Sequence, residues 1–107
     1  MKQELSILIP TYNTKCAGLV KALHRQAMQI EGLKFEILVA DDGSTNQKTT
    51  TENNREISML PHCSYLIRPT NSGRAAIRNY LAQSASSEWL LFIDCDVEIP
   101  PGFLRCY

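Results

Sequence analysis

Residues 35–45 read FEILVADDGST and place an aliphatic run directly before two acids and a Gly-Ser turn. The run at 35–40 is almost continuously apolar, which is typical of a strand buried on both faces. Residues 5–9 and 89–93 have the same form, and polar or turn residues follow each run. Strands of this kind belong to parallel sheets that helices cover on either side. The sequence therefore predicts a parallel α/β sheet.

Helical periodicity occupies the segments between these strands. Apolar residues recur at helical spacing at Leu19, Leu23, Ala27 and Ile30, and again at Ile77, Leu81 and Ala85. Residues 47–59 are rich in Thr and Asn and predict a weaker helix, and residues 64–68 predict the third strand. The β-α-β-α-β-α-β order predicts an open, mostly parallel, doubly wound sheet of three α/β/α layers. Ligands bind such sheets outside the carboxyl ends of the strands, where the strand order reverses.

The length of 107 residues suits one domain, and no linker-like stretch divides residues 1–107. Pro101, close to the last residue, indicates the first turn of a further helix. No stretch approaches the roughly 20 apolar residues that span a bilayer, and no leader-like run precedes the first strand. We therefore expect a cytoplasmic location, in a parent protein that could associate with the inner face of the membrane.

Charge and cysteine content narrow the classes of partner. The formal net charge is zero and the basic residues are scattered. A nucleic-acid-binding surface needs a basic patch, so we expect no nucleic-acid partner. The four cysteines form no C-x-x-C pair, which argues against a zinc site or a disulfide framework. Free thiols in a reducing compartment are expected.

Acidic residues follow two of the predicted strands at the same edge of the sheet. Asp41 and Asp42 follow the second strand, and Asp94 and Asp96 follow the last one. Carboxylates that converge repel one another unless a cation or hydrogen-bond donors share the site. The spacing D-x-D suits Mg²⁺ or Mn²⁺, which keeps most of its water and takes further ligands from a diphosphate. The sequence thus predicts a divalent cation that would neutralise a departing nucleoside diphosphate.

Each of these features also has a purely structural interpretation. Asp-Gly-Ser after a strand commonly forms a turn, in which Gly43 takes a positive φ and the Asp or Ser caps the next helix. The two acids around Cys95 could be a solvated strand end, and Tyr12 could pack on the sheet. It is the combination of these features that favours a functional site.

Four segments together carry a family resemblance. They are SILIPTYN at 6–13, ILVADDGST at 37–45, NSGRAAIRN at 71–79 and FIDCD at 92–96. In this order and spacing, over the whole chain, they resemble the family 2 glycosyltransferases. The resemblance implies the GT-A form of the predicted fold. It also implies an inverting transfer of a sugar, usually from a UDP- or GDP-linked donor, to an acceptor hydroxyl.

The resemblance further implies which residues hold the nucleoside. Pro10 and Tyr12 would line the base pocket, with the Tyr12 ring stacked on the base. Asp42, with Asp41 as the second choice, would accept a hydrogen bond from an N–H group of the base. Asp41 could instead cap the turn, because only one of two adjacent strand-end carboxylates need face the cleft.

The diphosphate end of the donor is assigned in the same way. Asp94 would lie near the ribose or the sugar, and it would share the metal with Asp96, which ligates the Mg²⁺ or Mn²⁺ that bridges the diphosphate. Arg78, one helical turn after Arg74, could contact diphosphate oxygens or could pair with a carboxylate of the same edge. We favour the pairing with a carboxylate.

An inverting transfer also needs a general base, and no acid or His of this sequence is placed for that role. In the family the base lies well downstream of the D-x-D, so we expect it beyond Tyr107, with the site for a saccharide or lipid-linked acceptor. The chain is then a truncated donor-binding half that is inactive alone. The rival hypothesis is a non-catalytic nucleotide-binding or interaction module that forms homo-oligomers through an exposed sheet edge.

Overall fold

A computed structural model describes residues 4–95, 99–100 and 102–106 of the chain. The elements are β1 (Leu5–Thr11), α1 (Ala17–Met28), β2 (Phe35–Asp42), α2 (Gln47–Ser58), β3 (Cys63–Arg68), α3 (Arg74–Ser84), β4 (Trp89–Phe92) and a 3-10 turn (Phe103–Cys106). The predicted alternation of strands and helices is confirmed. The two acids of the DDGS segment belong to β2 itself, which extends to Asp42.

The four strands form one parallel sheet in the order β3-β2-β1-β4. Leu5, at the start of β1, lies beside Phe35 of β2 on one side and Trp89 of β4 on the other. The chain therefore moves outward from β1 through β2 to β3 and then crosses back to β4. The strand order reverses between β1 and β4, so the crevice that binds ligands in doubly wound sheets lies at their carboxyl ends.

Helices cover both faces of the sheet, as the predicted three-layer architecture requires. On one face α1 and α2 pack on β1 and β2 through the buried residues Val20, Leu23, Ile57, Ile7, Ile9, Ile37 and Val39. On the other face α3 packs through Ile77, Leu81, Leu8, Leu38 and Ala40. Side chains alternate between the two faces of a strand, which explains why β1 and β2 are apolar at successive positions. Odd-numbered residues of β2 face α1 and α2, and even-numbered residues face α3.

The Thr- and Asn-rich helix α2 is held by specific hydrogen bonds that offset its low helix propensity. The Asn46 side chain caps the helix by accepting a hydrogen bond from the Thr49 N–H at 3.1 Å. Asn53, one turn after Thr49, is 1% exposed. Its Oδ1 accepts from the Cys16 N–H at 3.0 Å, and its Nδ2 donates to the Thr14 carbonyl at 2.9 Å. Asn53 thereby joins α2 to the start of α1.

The segment after β4 returns to α1. Gln26 of α1 donates from Nε2 to the Pro100 carbonyl at 2.8 Å and accepts at Oε1 from the Leu104 N–H at 3.0 Å. Leu104 is 4% exposed and joins the core under α1. The predicted further helix is a 3-10 turn over Phe103–Cys106, and Pro101 lies outside the described residues. None of the helices within the described ranges has the length and apolar character that crossing a membrane requires.

One apolar groove remains at the amino ends of β1 and β4. Its lining residues are Glu4, Leu5, Ile30, Leu33, Trp89, Leu90, Leu91 and Leu104, around a cavity of about 570 Å³. Trp89 is 73% exposed and Leu90 is 39% exposed. The groove lies at the opposite end of the strands from the crevice at the switch point. The predicted homo-oligomer through the sheet edge stays a prediction.

His24 is expected to make the fold less stable as the pH falls. Its Nε2 atom is buried and has no hydrogen-bond partner among the described residues, and its ring contacts Phe35 edge-on. Burial, and secondarily the nearby His62, lowers the pKa of His24 below the usual value. The unfolded chain then binds more protons. Stability is therefore fully present above the unfolded pKa of about 6.5 and is lost as the pH falls toward the folded pKa.

Urea unfolding at pH 7.5 and pH 5.5 checks this expectation. The loss of unfolding free energy on acidification should be smaller in His24→Phe than in the natural sequence. His62→Asn is the matched control, since Asn tolerates the positive φ of 67° at that position. The His62→Asn variant should retain most of the loss of unfolding free energy on acidification, because burial is the larger cause of the lowered pKa of His24. An equal pH dependence in His24→Phe would show that His24 is not its source.

Candidate functional site

A polar pocket opens at the carboxyl ends of the strands, beside the start of α3. Its volume is about 310 Å³, and its lining residues are Pro10, Thr11, Tyr12, Asp42, Asn71, Gly73, Arg74, Ile77 and Asp94. These residues come from the ends of β1, β2 and β4, from the loop before α3 and from the first turn of α3. The pocket therefore lies where the strand order predicts a ligand site. Of the residues assigned from the sequence, it brings together Pro10, Tyr12, Asp42 and Asp94.

Asp42 is the buried carboxylate of this pocket, with an exposed fraction of 5%. Its Oδ1 accepts from the Ser72 N–H at 2.9 Å and from the Ser72 hydroxyl at 2.8 Å. Its Oδ2 accepts from the Gly73 N–H at 3.1 Å. These donors replace the hydrogen bonds to water that the carboxylate loses on burial.

The turn after Asp42 brings two loops into direct contact. Gly43 has a φ of +75°, and a Cβ atom there would lie 2.4 Å from the backbone nitrogen of Asn71 and 2.5 Å from the carbonyl carbon of Thr70. The Asn71 side chain donates from Nδ2 to the Asp42 carbonyl oxygen at 3.1 Å. Only glycine fits this turn, because both its conformation and its contact exclude a side chain. The close approach holds Asn71 on the pocket wall.

Asp41 faces the other side of the sheet and does not line the pocket. It is 1% exposed, and its Oδ1 accepts from the Ser44 N–H at 2.7 Å. Its Oδ2 accepts from the Tyr65 hydroxyl at 2.7 Å and from the Thr50 hydroxyl at 3.2 Å. Burial and the bond to Asp41 raise the pKa of Tyr65. The contacts of Asp41 are thus those of the turn-capping alternative, and they also fasten β2 to β3 and α2.

Tyr12 projects at the end of β1 with 45% of its surface exposed. The next residue, Asn13, adopts a φ of 51° and ties this end of β1 to the turn after β2. Its N–H donates to the Ser44 hydroxyl at 2.8 Å, and its Oδ1 accepts from the Asn46 N–H at 2.8 Å. An exposed aromatic ring on a fixed turn can stack on a planar ligand without large loss of conformational freedom.

Among the described residues, the two arginines of α3 make different contacts. Arg78 places its guanidinium 4.2 Å from the centre of the Phe92 ring, and in the described ranges no carboxylate lies within ion-pair distance of it. The carboxylate pairing is formed instead by Arg74, whose guanidinium lies 3.6 Å from Asp94. Arg74 is 77% exposed and Asp94 is 52% exposed, so this pair contributes little to stability. Arg74 therefore stands at the pocket mouth with its donors available to a ligand.

Three residues of the 71–74 loop were thus missed as site residues by reasoning from the sequence. Asn71, Gly73 and Arg74 line the pocket, and Ser72 supports Asp42 from behind. Two signals could have found them, because they belong to the 71–79 segment that resembles the family and they lie in the turn that begins α3 at the carboxyl end of the sheet. Backbone N–H groups at a helix start are oriented to bind negatively charged groups.

The thiol of Cys95, the middle residue of the D-x-D segment, lies against the end of β1. The Thr11 hydroxyl lies 3.5 Å from the Cys95 sulfur, which also contacts the Lys15 carbonyl at 3.7 Å. Interaction with Cys95 and burial raise the pKa of the Cys16 thiol, which therefore stays protonated and unreactive near neutral pH. Cys16, Cys63 and Cys95 carry thiols rather than disulfides, as predicted.

Of the two predicted metal ligands, the structure describes only Asp94. Asp96, the predicted metal ligand, lies outside the described residues. Within residues 4–95, 99–100 and 102–106 no group of three or more His, Cys, Asp or Glu side chains is arranged to hold a metal ion. The Asp94 carboxylate is exposed at the pocket mouth. One or two carboxylates at such an edge suit Mg²⁺ or Mn²⁺, whose remaining ligands are water and phosphate oxygens.

Two relatives of this chain are named as sugar transferases. It is 36% identical to validoxylamine A glucosyltransferase of Streptomyces hygroscopicus over 103 residues, which cover 94% of this chain and 24% of that protein. It is 31% identical to dolichol-phosphate mannosyltransferase of Pyrococcus furiosus over 100 residues, which cover 92% of this chain and 27% of that protein. The chain thus spans about a quarter of the length of either relative.

Solved structures and a family model also match this chain. TarS of S. aureus, residues 1–349 in complex with UDP-GlcNAc, is 28% identical with a TM-score of 0.79 and covers 97% of this chain and 30% of that chain. The mannosyltransferase PcManGT of Pyrobaculum calidifontis shares the fold at 22% identity, with a TM-score of 0.71 over 94% of this chain and 29% of that chain. The model of glycosyl transferase family 2 matches residues 6–105, and the chain belongs to that family.

Proposed function

We propose that this chain binds the nucleoside diphosphate of a sugar donor for an inverting glycosyl transfer to an acceptor hydroxyl. The observation that carries the proposal is Asp42, a buried carboxylate that borders a pocket at the topological switch point. Membership of the family and a 28% identical relative bound to UDP-GlcNAc support it. The transferred sugar would be a hexose or a hexose derivative, as the names of the relatives suggest.

The pocket divides into a nucleoside end and a phosphate end. Tyr12 would stack on the base while Pro10 closes the wall behind it, and Asp42 would accept a hydrogen bond from an N–H group of the base. Arg74 would face the phosphates, because its guanidinium presents N–H donors at the pocket mouth. Arg78 would act indirectly, by packing its guanidinium on Phe92 beneath the same helix.

Asp94 and Asp96 would hold Mg²⁺ or Mn²⁺. Bound there, the metal would neutralise the charge that develops on the departing nucleoside diphosphate. Asp94 has a second task in the absence of ligand, because it balances Arg74 at 3.6 Å. A diphosphate that contacts Arg74 would compete with Asp94 for its donors. The general base and the acceptor site are predicted to lie in residues beyond Tyr107, and the cytoplasmic location also stays a prediction.

Calorimetric titration of UDP with and without Mn²⁺ tests the proposal. We expect saturable binding that Mn²⁺ strengthens by about tenfold, which is the effect of one well-formed charged contact. Asp96→Ala should remove this gain. Glu98→Ala, which deletes an acid two residues away, should keep it. A folded sample that binds neither UDP nor GDP at millimolar concentration would exclude a donor site in this chain.

A second candidate function is a module that associates with copies of itself. The apolar groove supports it, since Trp89 at 73% exposure is an unusual surface residue. Sedimentation velocity over a hundredfold range of concentration distinguishes the two candidates. A concentration-dependent size together with an absence of nucleotide binding would favour the module.

A further inference from the structure

The hydrogen bonds at Asp42 leave it with little capacity to accept more. Each carboxylate oxygen has two lone pairs. The Oδ1 atom already accepts from the Ser72 N–H and the Ser72 hydroxyl, so both of its lone pairs are used. The Oδ2 atom accepts from the Gly73 N–H at 3.1 Å, which leaves one lone pair. Asp42 can therefore accept one further hydrogen bond, and only at Oδ2.

The direction of the Ser72 hydroxyl bond is fixed by its other neighbour. Arg68 donates from Nη1 to the Ser72 oxygen at 3.3 Å, and a guanidinium has no acceptor that could receive the hydroxyl hydrogen. The Ser72 hydrogen must then point at Asp42. Arg68 is itself held by the Tyr80 ring, which lies 4.6 Å from its central carbon. The side-chain contacts that link Tyr80, Arg68 and Ser72 thus keep Oδ1 of Asp42 occupied.

A carboxylate with one free acceptor distinguishes bases by their hydrogen-bonding edges. Guanine presents two adjacent donors, a ring N–H and an amino group, which match both oxygens of a carboxylate. Uracil presents one N–H between two carbonyl oxygens. Cytosine presents an acceptor at the same ring position, which would face the carboxylate without a hydrogen. A single accepting site therefore suits the uracil edge.

The neighbouring amide completes the match. Asn71 uses one Nδ2 hydrogen on the Asp42 carbonyl oxygen at 3.1 Å, and the second Nδ2 hydrogen remains for a carbonyl oxygen of the base. Asn71 and Asp42 line the same pocket. An acceptor and a donor side by side match the N–H and carbonyl of the imide that uracil and thymine share. The N1–H and O6 of guanine form the same pair, but its adjacent amino group would then have to share the occupied Oδ1.

We propose that the pocket selects a donor whose base carries an imide edge, uridine or thymidine diphosphate, over guanosine diphosphate, and that Ser72 sets this preference. The inference rests on the proposed function, because it concerns the base bound at the same site. Ser72 acts as a positioning residue: it contacts Asp42 and not the base.

Competition binding of UDP, dTDP, CDP and GDP to the 107-residue chain in the presence of Mn²⁺ tests the proposal. UDP and dTDP should bind at least about tenfold more tightly than CDP and GDP, since a mismatched or unpaired polar group costs about that much. Ser72→Ala frees a lone pair of Oδ1 and should reduce the ratio of UDP to GDP affinity by about threefold or more. Circular dichroism establishes that the variant is folded.

Ser86→Ala is the matched control. Ser86 donates from its N–H at 2.7 Å and its hydroxyl at 2.9 Å to one oxygen of Glu36, the same arrangement at the opposite end of β2. The ratio of UDP to GDP affinity in Ser86→Ala should equal that of the natural sequence. GDP binding within about threefold of UDP, or a Ser72→Ala ratio equal to that of Ser86→Ala, would overturn the proposal. Binding of no nucleotide would instead refute the donor site itself.

Discussion

Replacing Gly43 with alanine should lower the free energy of unfolding by about 3–4 kcal/mol and should weaken nucleotide binding with it. The positive φ of +75° alone costs a residue with a Cβ atom about 1–2 kcal/mol. The larger part comes from contact, because the new Cβ would meet the backbone of Asn71 at 2.4 Å and of Thr70 at 2.5 Å. Backbone atoms cannot rotate away, so the loop that carries Asn71 must move off the pocket.

Alanine substitutions at two other glycines separate the conformational cost from the cost of the contact in one urea-unfolding series. Gly32 has a φ of +78° and nothing within 4 Å, so Gly32→Ala should cost only the conformational part, about 1–2 kcal/mol. Gly18 lies in the first turn of α1 with open space around it, so Gly18→Ala should stabilise the chain by less than about 0.5 kcal/mol. A Gly43→Ala variant no less stable than Gly32→Ala would contradict the described contact between the two loops.

The Asp42→Asn variant should bind UDP about tenfold to a hundredfold more weakly than the natural chain. Ser72 donates twice to Oδ1, so the amide oxygen of the new side chain must take that position. The amide nitrogen then occupies the Oδ2 position, where it faces the Gly73 N–H and the N–H of the base. Donors would face donors there, and the base would lose its acceptor.

Asp41→Asn is the control for this experiment, because it makes the same change at the adjacent buried residue. There the amide oxygen can accept from the Ser44 N–H, and the amide nitrogen can donate to the hydroxyl oxygens of Thr50 and Tyr65. The affinity of the folded variant for UDP should therefore change by less than about threefold. Equal losses of affinity in both variants would show that Asp42 has no special place in the site.

The sheet could be predicted from the sequence because its strands are short, nearly continuous apolar runs, and the helices between them show a periodicity of 3.6 residues. The orientation of Asp41 and Asp42 could not. Adjacent residues of a strand face opposite sides, but the sequence does not state which side receives α3. The structure shows that even-numbered residues of β2 face α3, and this places Asp42 at the pocket.

The arginines and Ser72 mark the limit of sequence reasoning about the site. Helical spacing places Arg74 and Arg78 one turn apart, yet it does not fix where α3 begins relative to the end of β4. In the structure that offset puts Arg74 beside Asp94 and Arg78 over Phe92. Apart from its place in the 71–79 segment, Ser72 gives no signal in the sequence, because it acts through a hydrogen bond to Asp42, 30 residues away.

The central claim is that a nucleoside diphosphate binds in the pocket at the carboxyl ends of β1, β2 and β4. Titration of the ¹⁵N-labelled chain with UDP and Mg²⁺, followed by amide chemical shifts, tests it most directly. The account predicts that the largest shifts fall on Tyr12, Asp42, Gly73 and Asp94, while Leu33 and Leu90 at the apolar groove stay unchanged. Shifts centred on the groove, or none at millimolar UDP, would contradict it.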